Sequence, residues 1–166
     1  MNNTKTIFKS LLITVMALSL LAVSCSKDEG GSKPTDPQTV DVDATRITGI
    51  VSAMFSRTVD DNGASLFASD TITPASGKAT IDTAAGKKIA TDIKTKLKTS
   101  IETVASAYAS VVTLTSDVDN LTKDLTLTMK PANANVNFTS DVTDGKTYSY
   151  DAAKGEASLV ITITEK

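Results

Sequence analysis

Histidine is the side chain most often used to move protons or hold metals near neutral pH, and none of the 166 residues is histidine. Nucleophile–histidine triads and histidine-based metal sites are therefore excluded. The only thiol is Cys25. Glycosidase-type hydrolysis needs two carboxylates placed across a cleft. The acids here are grouped instead in turn-like runs, Asp60-Asp61-Asn62-Gly63 and Asp117-Val118-Asp119-Asn120. Either run offers oxygens to Ca²⁺, but neither has the glycine and glutamate spacing of an EF-hand loop, and turn chemistry alone accounts for both. Lys87, Lys88, Lys94, Lys96 and Lys98 outnumber Asp92 and Glu102 in one stretch. Such an excess suits an anionic partner, and equally a solvated helix face. Tyr148 and Tyr150 stand two apart, on one face of a strand, as the candidate ligand contact. They would either stack on a sugar ring or pack across the sheet. This inventory points away from an enzyme and calls for no cofactor and no metal.

The surroundings of Cys25 are more informative. Lys5 and Lys9 precede an apolar run, Leu11 to Val23, broken only by Thr14 and Ser19. A spanning helix needs roughly 20 apolar residues, so this shorter run reads as an export signal. It ends in Leu21-Ala22-Val23-Ser24-Cys25, which resembles the lipobox of bacterial lipoproteins, with Ala22 where the commonest version has leucine. The resemblance implies cleavage between Ser24 and Cys25, diacylation of the Cys25 sulfur and usually acylation of the new amino group, as with palmitate. One acyl chain holds a protein to a membrane only marginally, whereas two or more hold it firmly. Next come Ser26-Lys27-Asp28-Glu29-Gly30-Gly31. They resemble the surface-export signal of Bacteroidota lipoproteins, which implies an outer-membrane anchor facing the cell exterior, or otherwise the periplasmic face. Asp70-Thr71-Ile72 and Asp82-Thr83-Ala84 resemble the O-glycosylation sequon of Bacteroidota exported proteins, which would mark Thr71 and Thr83.

Lysine and arginine total 17 against 19 acids, a formal net charge of −2. Loss of Lys5 and Lys9 with the signal leaves the remainder more acidic. Nucleic-acid binding usually needs a concentrated basic patch, so none is expected. Residues 25–43 read as lipidated cysteine and tether, with Gly30, Gly31, Ser32, Pro34 and Pro37 and no apolar periodicity. The eighteen residues from Ser26 to Asp43 would reach about 60 Å if fully extended. Residues 44–166 read as a single domain.

Within that domain, Ala44 to Val59 alternates and predicts a strand, with Ile47, Val51, Phe55 and Val59 on one face, although Ile50 and Met54 interrupt the other. The Asp60–Gly63 turn and a second strand from Ser65 to Thr73 would complete a hairpin, and Ala79 to Ile81 has strand character. Ile89, Ile93, Leu97, Ile101, Val104, Tyr108 and Val111 recur at spacings of three and four, which predicts one long amphipathic helix capped at Asp82 or Thr83. Four further strands follow: Leu121–Met129, Val136–Phe138, Lys146–Tyr150 and Ala157–Thr164. The expected fold is α+β, in the order ββαββββ, with a curved antiparallel sheet of about six strands packed on one helix. That order is loosely similar to cystatin-like and lipocalin-like lipoprotein domains. The expected function is a non-catalytic surface module that binds an envelope protein or glycan. The alternative is a carrier or sensor of a small apolar ligand, with a pocket between helix and sheet.

Overall fold

The computed structural model describes residues 38–68, 77–82, 91–145 and 147–165, all within the unit Pro37–Lys166. In chain order its elements are β1 (Val40–Val42), α1 (Ala44–Ser56), β2 (Lys78–Ile81), α2 (Thr91–Ala107) and β3 (Val112–Ser116). A 3-10 turn at Val118–Asn120 leads to β4 (Asp124–Pro131), β5 (Val136–Phe138), the single-turn α3 (Ser140–Thr143), β6 (Ser149–Asp151) and β7 (Glu156–Glu165). The class is mixed α and β, as the residue pattern predicts, but the order differs, and two long helices replace the expected one.

The largest correction is α1. Alternation predicts a strand over Ala44–Val59, and the chain forms a helix over Ala44–Ser56. Both periods fit part of the segment. Ile47, Val51 and Phe55 are four apart, so they share a face in a strand and in a helix alike. Ile50 and Met54 decide between the two: they fall on the polar side of a strand and on the apolar stripe of a helix, and all five are buried. Two carboxylates supply the start signal. Asp43 accepts from the Arg46 N–H at 2.6 Å as N-cap. Asp141 accepts from the Ala44 N–H at 3.0 Å. Hydrogen bonds from the Thr139 hydroxyl and then the Ala44 N–H hold the Asp141 carboxyl below its usual pKa. At the other end Thr58, fully buried, returns its hydroxyl to the Met54 carbonyl at 3.0 Å.

The main sheet is mixed rather than antiparallel, and open rather than a barrel. Its order is β2-β7-β4-β3, with β6 also paired to β7. β7 runs antiparallel to β4 and β6 and parallel to β2. Period two holds well here. Leu125, Leu127 and Met129 of β4 and Ala157, Leu159, Ile161 and Ile163 of β7 are buried, while their neighbours, Val160 excepted, carry hydroxyls or charge. Other elements also differ from expectation: the single turn of α3 is not among the expected elements, and the strand expected from Leu121 begins at Asp124. β3 is concealed by the end of the helix pattern, because Val111 continues the stripe of α2 although the helix stops at Ala107. The expected strand at Lys146–Tyr150 begins only at Ser149. Val40–Val42, within the stretch read as tether, is a strand paired in parallel with β5 in a separate two-stranded sheet. The Val40 N–H donates to the Asn135 carbonyl at 2.7 Å and the Thr139 N–H to the Val42 carbonyl at 3.0 Å.

The helix pattern holds for Ile93, Leu97, Ile101 and Val104, all buried in α2. Helices α1 and α2 pack together, and their apolar stripes join the inner sheet face in one continuous core. The predicted turn at Asp60–Gly63 forms, with the Gly63 N–H donating to the Asp60 carbonyl at 3.0 Å. Among the described residues its flanks pair at the Val59–Ser65 bridge, and the first flank is led in by helix α1 rather than a strand. The end of the expected second strand, Thr83 and Ile89 lie outside the described residues, while Asp82, the other expected cap, is described and its N–H donates to the Leu66 carbonyl at 3.1 Å.

Two glycines separate these assignments experimentally. Gly49 lies exposed in α1, with open space where a methyl group would stand, so Gly49→Ala should stabilise the protein by about 0.5–1 kcal/mol. In a strand no such helix-propensity gain would follow. Gly77 has φ +67°, and a Cβ there would come within 2.5 Å of the Val160 carbonyl oxygen. Gly77→Ala should destabilise by more than ~1 kcal/mol. Denaturant midpoints of the two variants should move in opposite directions.

Candidate functional site

The lipobox-like and export-signal residues Ser24, Cys25, Ser26, Lys27, Asp28 and Glu29 lie outside the described residues, as do Thr71 and Thr83. Tyr148 and Tyr150 are described, and they have different surroundings. Tyr148 is 1% exposed, and its ring is part of the core. Its hydroxyl shares a hydrogen bond of 2.8 Å with the Thr48 hydroxyl of α1. Burial pushes the Tyr148 phenol above its usual pKa, and the Thr48 bond partly offsets that. Tyr150 is half-buried in β6 and packs against the same core. A two-ring stacking platform is thus not what the pair presents. Tyr148 instead ties α1 to the segment leading into β6.

The acidic runs are engaged in local structure. One Asp60 carboxylate oxygen accepts from the Asn62 and Ala64 N–H groups, each at 2.9 Å, which closes an Asx-type turn. Asp61 pairs with Lys96 at 2.5 Å. Asp117 accepts from the Thr126 N–H at 2.7 Å, and Asp119 pairs with Lys98 at 2.8 Å. Hydrogen bonds to their acid partners raise the pKa of Lys96 and Lys98, and the Lys98 ammonium lowers that of Asp119. Pairs this exposed contribute little to stability. Two of the helix lysines are therefore matched by acids from other parts of the chain, while Lys87 and Lys88 lie outside the described residues. Among the described residues no cluster of acids is placed to hold a metal ion. No described helix is long and apolar enough to cross a membrane.

One concave feature lies where the residue pattern does not point. A cleft of about 270 Å³ runs between α2 and β3. Ile101, Ala105, Leu114 and Val118 line its apolar side, and Lys98, Glu102 and Asp119 its rim. The sequence places Lys98 and Glu102 on one polar helix face, but the facing wall requires β3, which the helix pattern conceals. The described interior is otherwise well satisfied. No buried side-chain nitrogen or oxygen among the described residues lacks a hydrogen-bond partner, and Val160, at 55%, is the large apolar side chain that stands out on the surface. Comparison of the chain with protein-family models, curated proteins and solved structures gave no match.

The Thr48–Tyr148 contact carries a pH signature. A raised phenol pKa means that the folded protein favours the neutral ring. That contribution is complete below the unfolded value near 10 and is lost as pH rises through the folded value. Tyr148→Phe should cost about 1 kcal/mol at neutral pH through the lost hydrogen bond. It should also flatten the fall in stability above about pH 10. Urea unfolding at several pH values reads both effects, and an unchanged alkaline slope would contradict the assignment.

Proposed function

We propose that this chain is a non-catalytic lipoprotein of the outer membrane, facing the cell exterior, whose folded unit binds a protein or glycan of the envelope. The observation that carries the proposal is the run Leu21-Ala22-Val23-Ser24-Cys25 at the end of a short apolar segment, followed by Ser26-Lys27-Asp28-Glu29. The folded unit adds support. Its first strand begins at Val40, which leaves a Gly- and Pro-containing spacer between Cys25 and the globule. Asp60 and Asp117 are occupied in turns, and Asp61 and Asp119 in ion pairs with Lys96 and Lys98.

The carrier alternative needs an apolar chamber between helix and sheet. The buried apolar residues of the described helices and sheet form one cluster, and the cleft beside α2 carries charge on its rim. Those features favour surface binding over enclosure.

Mass spectrometry of the native product tests the anchor. The expected product starts at Cys25 and carries added acyl mass, and Cys25→Ser should move the protein from the membrane to the soluble fraction. An intact amino terminus with a free thiol would overturn the proposal. Protease added to whole cells should digest the domain if it faces outward.

A further inference from the structure

Strand β3 is an outer strand of the main sheet. Two ladder bonds set its phase: the Ala132 N–H donates to the Val111 carbonyl at 3.0 Å, and the Asp117 N–H to the Thr126 carbonyl at 3.2 Å. In an antiparallel ladder the bonded pairs alternate. Thr113 and Thr115 therefore turn their backbone groups to β4, and Val112, Leu114 and Ser116 turn theirs outward. The Val112 N–H is taken by the Tyr108 carbonyl at 2.9 Å. The N–H groups of Leu114 and Ser116 and the carbonyls of all three residues have no partner among the described residues. The cleft beside α2 opens on this edge and is lined in part by Leu114, Thr115 and Ser116.

Open edges are usually blunted by charge, proline or a bulge. The far side of the sheet shows such protection: β2 carries Lys78, and Leu66 to Ala68 lie along it, with Ala68 N–H donating to the Thr80 carbonyl at 2.8 Å. β3 reads Val-Thr-Leu-Thr-Ser, and residues 109–116 contain no charge and no proline. The segment is also nearly the same read in either direction about Leu114.

We infer that β3 is a self-association edge, which pairs antiparallel with β3 of a second copy of this chain about a two-fold axis at Leu114. In that register each Leu114 N–H donates to the Leu114 carbonyl of the other copy. Each Ser116 N–H donates to the other copy's Val112 carbonyl. Every free donor of the edge then has an acceptor. Thr113 lies opposite Thr115, a favourable cross-strand pair, and no like charges meet, because the segment has none. A five-residue strand pair is small beside the roughly 1,200–2,000 Å² of a standard interface, so the dimer is a weak one. This pairing does not depend on the lipid anchor.

The test uses the full chain carrying Cys25→Ser, so that only introduced thiols react. Thr113→Cys and Thr115→Cys are oxidised separately and as a mixture. In the inferred register residues 113 and 115 of opposite copies face each other with Cα atoms about 4.5 Å apart, within disulfide reach, whereas like positions sit on the diagonal at about 7–8 Å. The mixture should give several-fold more disulfide dimer than either variant alone. Adding Ser116→Pro to both should lower the yield roughly tenfold, since the symmetric pairing loses two hydrogen bonds at once. Circular dichroism should be unchanged by the proline, because the Ser116 N–H takes no part in the β3–β4 ladder. Equal yields in mixture and single variants, no dimer at all, or a yield insensitive to Ser116→Pro in the folded protein would each overturn the inference. So would an unrelated extended peptide that protects the Leu114 amide while copies stay uncross-linked. None of these outcomes bears on acylation of Cys25, so this inference and the proposed anchor fail separately.

Discussion

The described structure depends on β7, the last strand of the chain. Its odd-numbered residues bond to β4, as the Ile163 N–H to Lys123 carbonyl bond of 2.8 Å shows. Its other edge holds β6 at Glu156–Ser158 and β2 at Thr162–Glu165. Ala157, Leu159, Ile161 and Ile163 point into the core from the same strand. Segments separated by nearly the whole domain therefore meet only after the C-terminal residues are in place. The parallel β2–β7 pairing explains why Gly77 must be glycine: the chain enters β2 with its backbone against the Val160 carbonyl. Full burial of a side chain such as Leu or Ile contributes roughly 1.5–3 kcal/mol, so this inner row is a large share of what offsets the cost of ordering so distant a set of partners.

Where one face of an element is buried and the other wet, residue pattern and structure agree. β4 and β7 alternate as hydroxyl and apolar residues require, and α2 shows its stripe at Ile93, Leu97, Ile101 and Val104. The failures have specific causes. In α1 the four-residue spacing of Ile47, Val51 and Phe55 satisfies both periods, and Ile50 and Met54 carry the deciding information. Asp43 is a visible cap, but half of the helix start is supplied by Asp141, which lies 97 residues away in sequence. β3 is hidden because Val111 prolongs a helical pattern past the actual helix end. Parallel pairing of β1 with β5 and of β2 with β7 leaves no local trace, since each joins segments through long intervening chain.

The same division applies to the candidate site. The proposed address and anchor rest on contiguous residues around Cys25, so that reading needs no fold. Surface chemistry is not. Tyr148 stands out in the sequence as an aromatic on a strand face, yet its surroundings, and above all Thr48 from a helix that alternates like a strand, make it a core residue. Asp119 and Lys98 belong to separate candidate groups and meet as one ion pair. The cleft between α2 and β3 needs two elements at once, and residue periodicity reveals only the helix. Among the described residues Asp43, Asp60, Asp117 and Asp141 hold turns and a helix start, and the cleft and the open sheet edge both lie along β3.

Native-state hydrogen exchange is the most direct test of β7 as the organising strand. Leu159 and Ile161 donate to β4 in the middle of the sheet, so their amides should exchange only through global unfolding, with a free energy equal to that from denaturant titration. Exchange of those two amides at clearly lower free energy, while α1 and α2 remain protected, would mean that the helices hold together without β7 and would contradict this account.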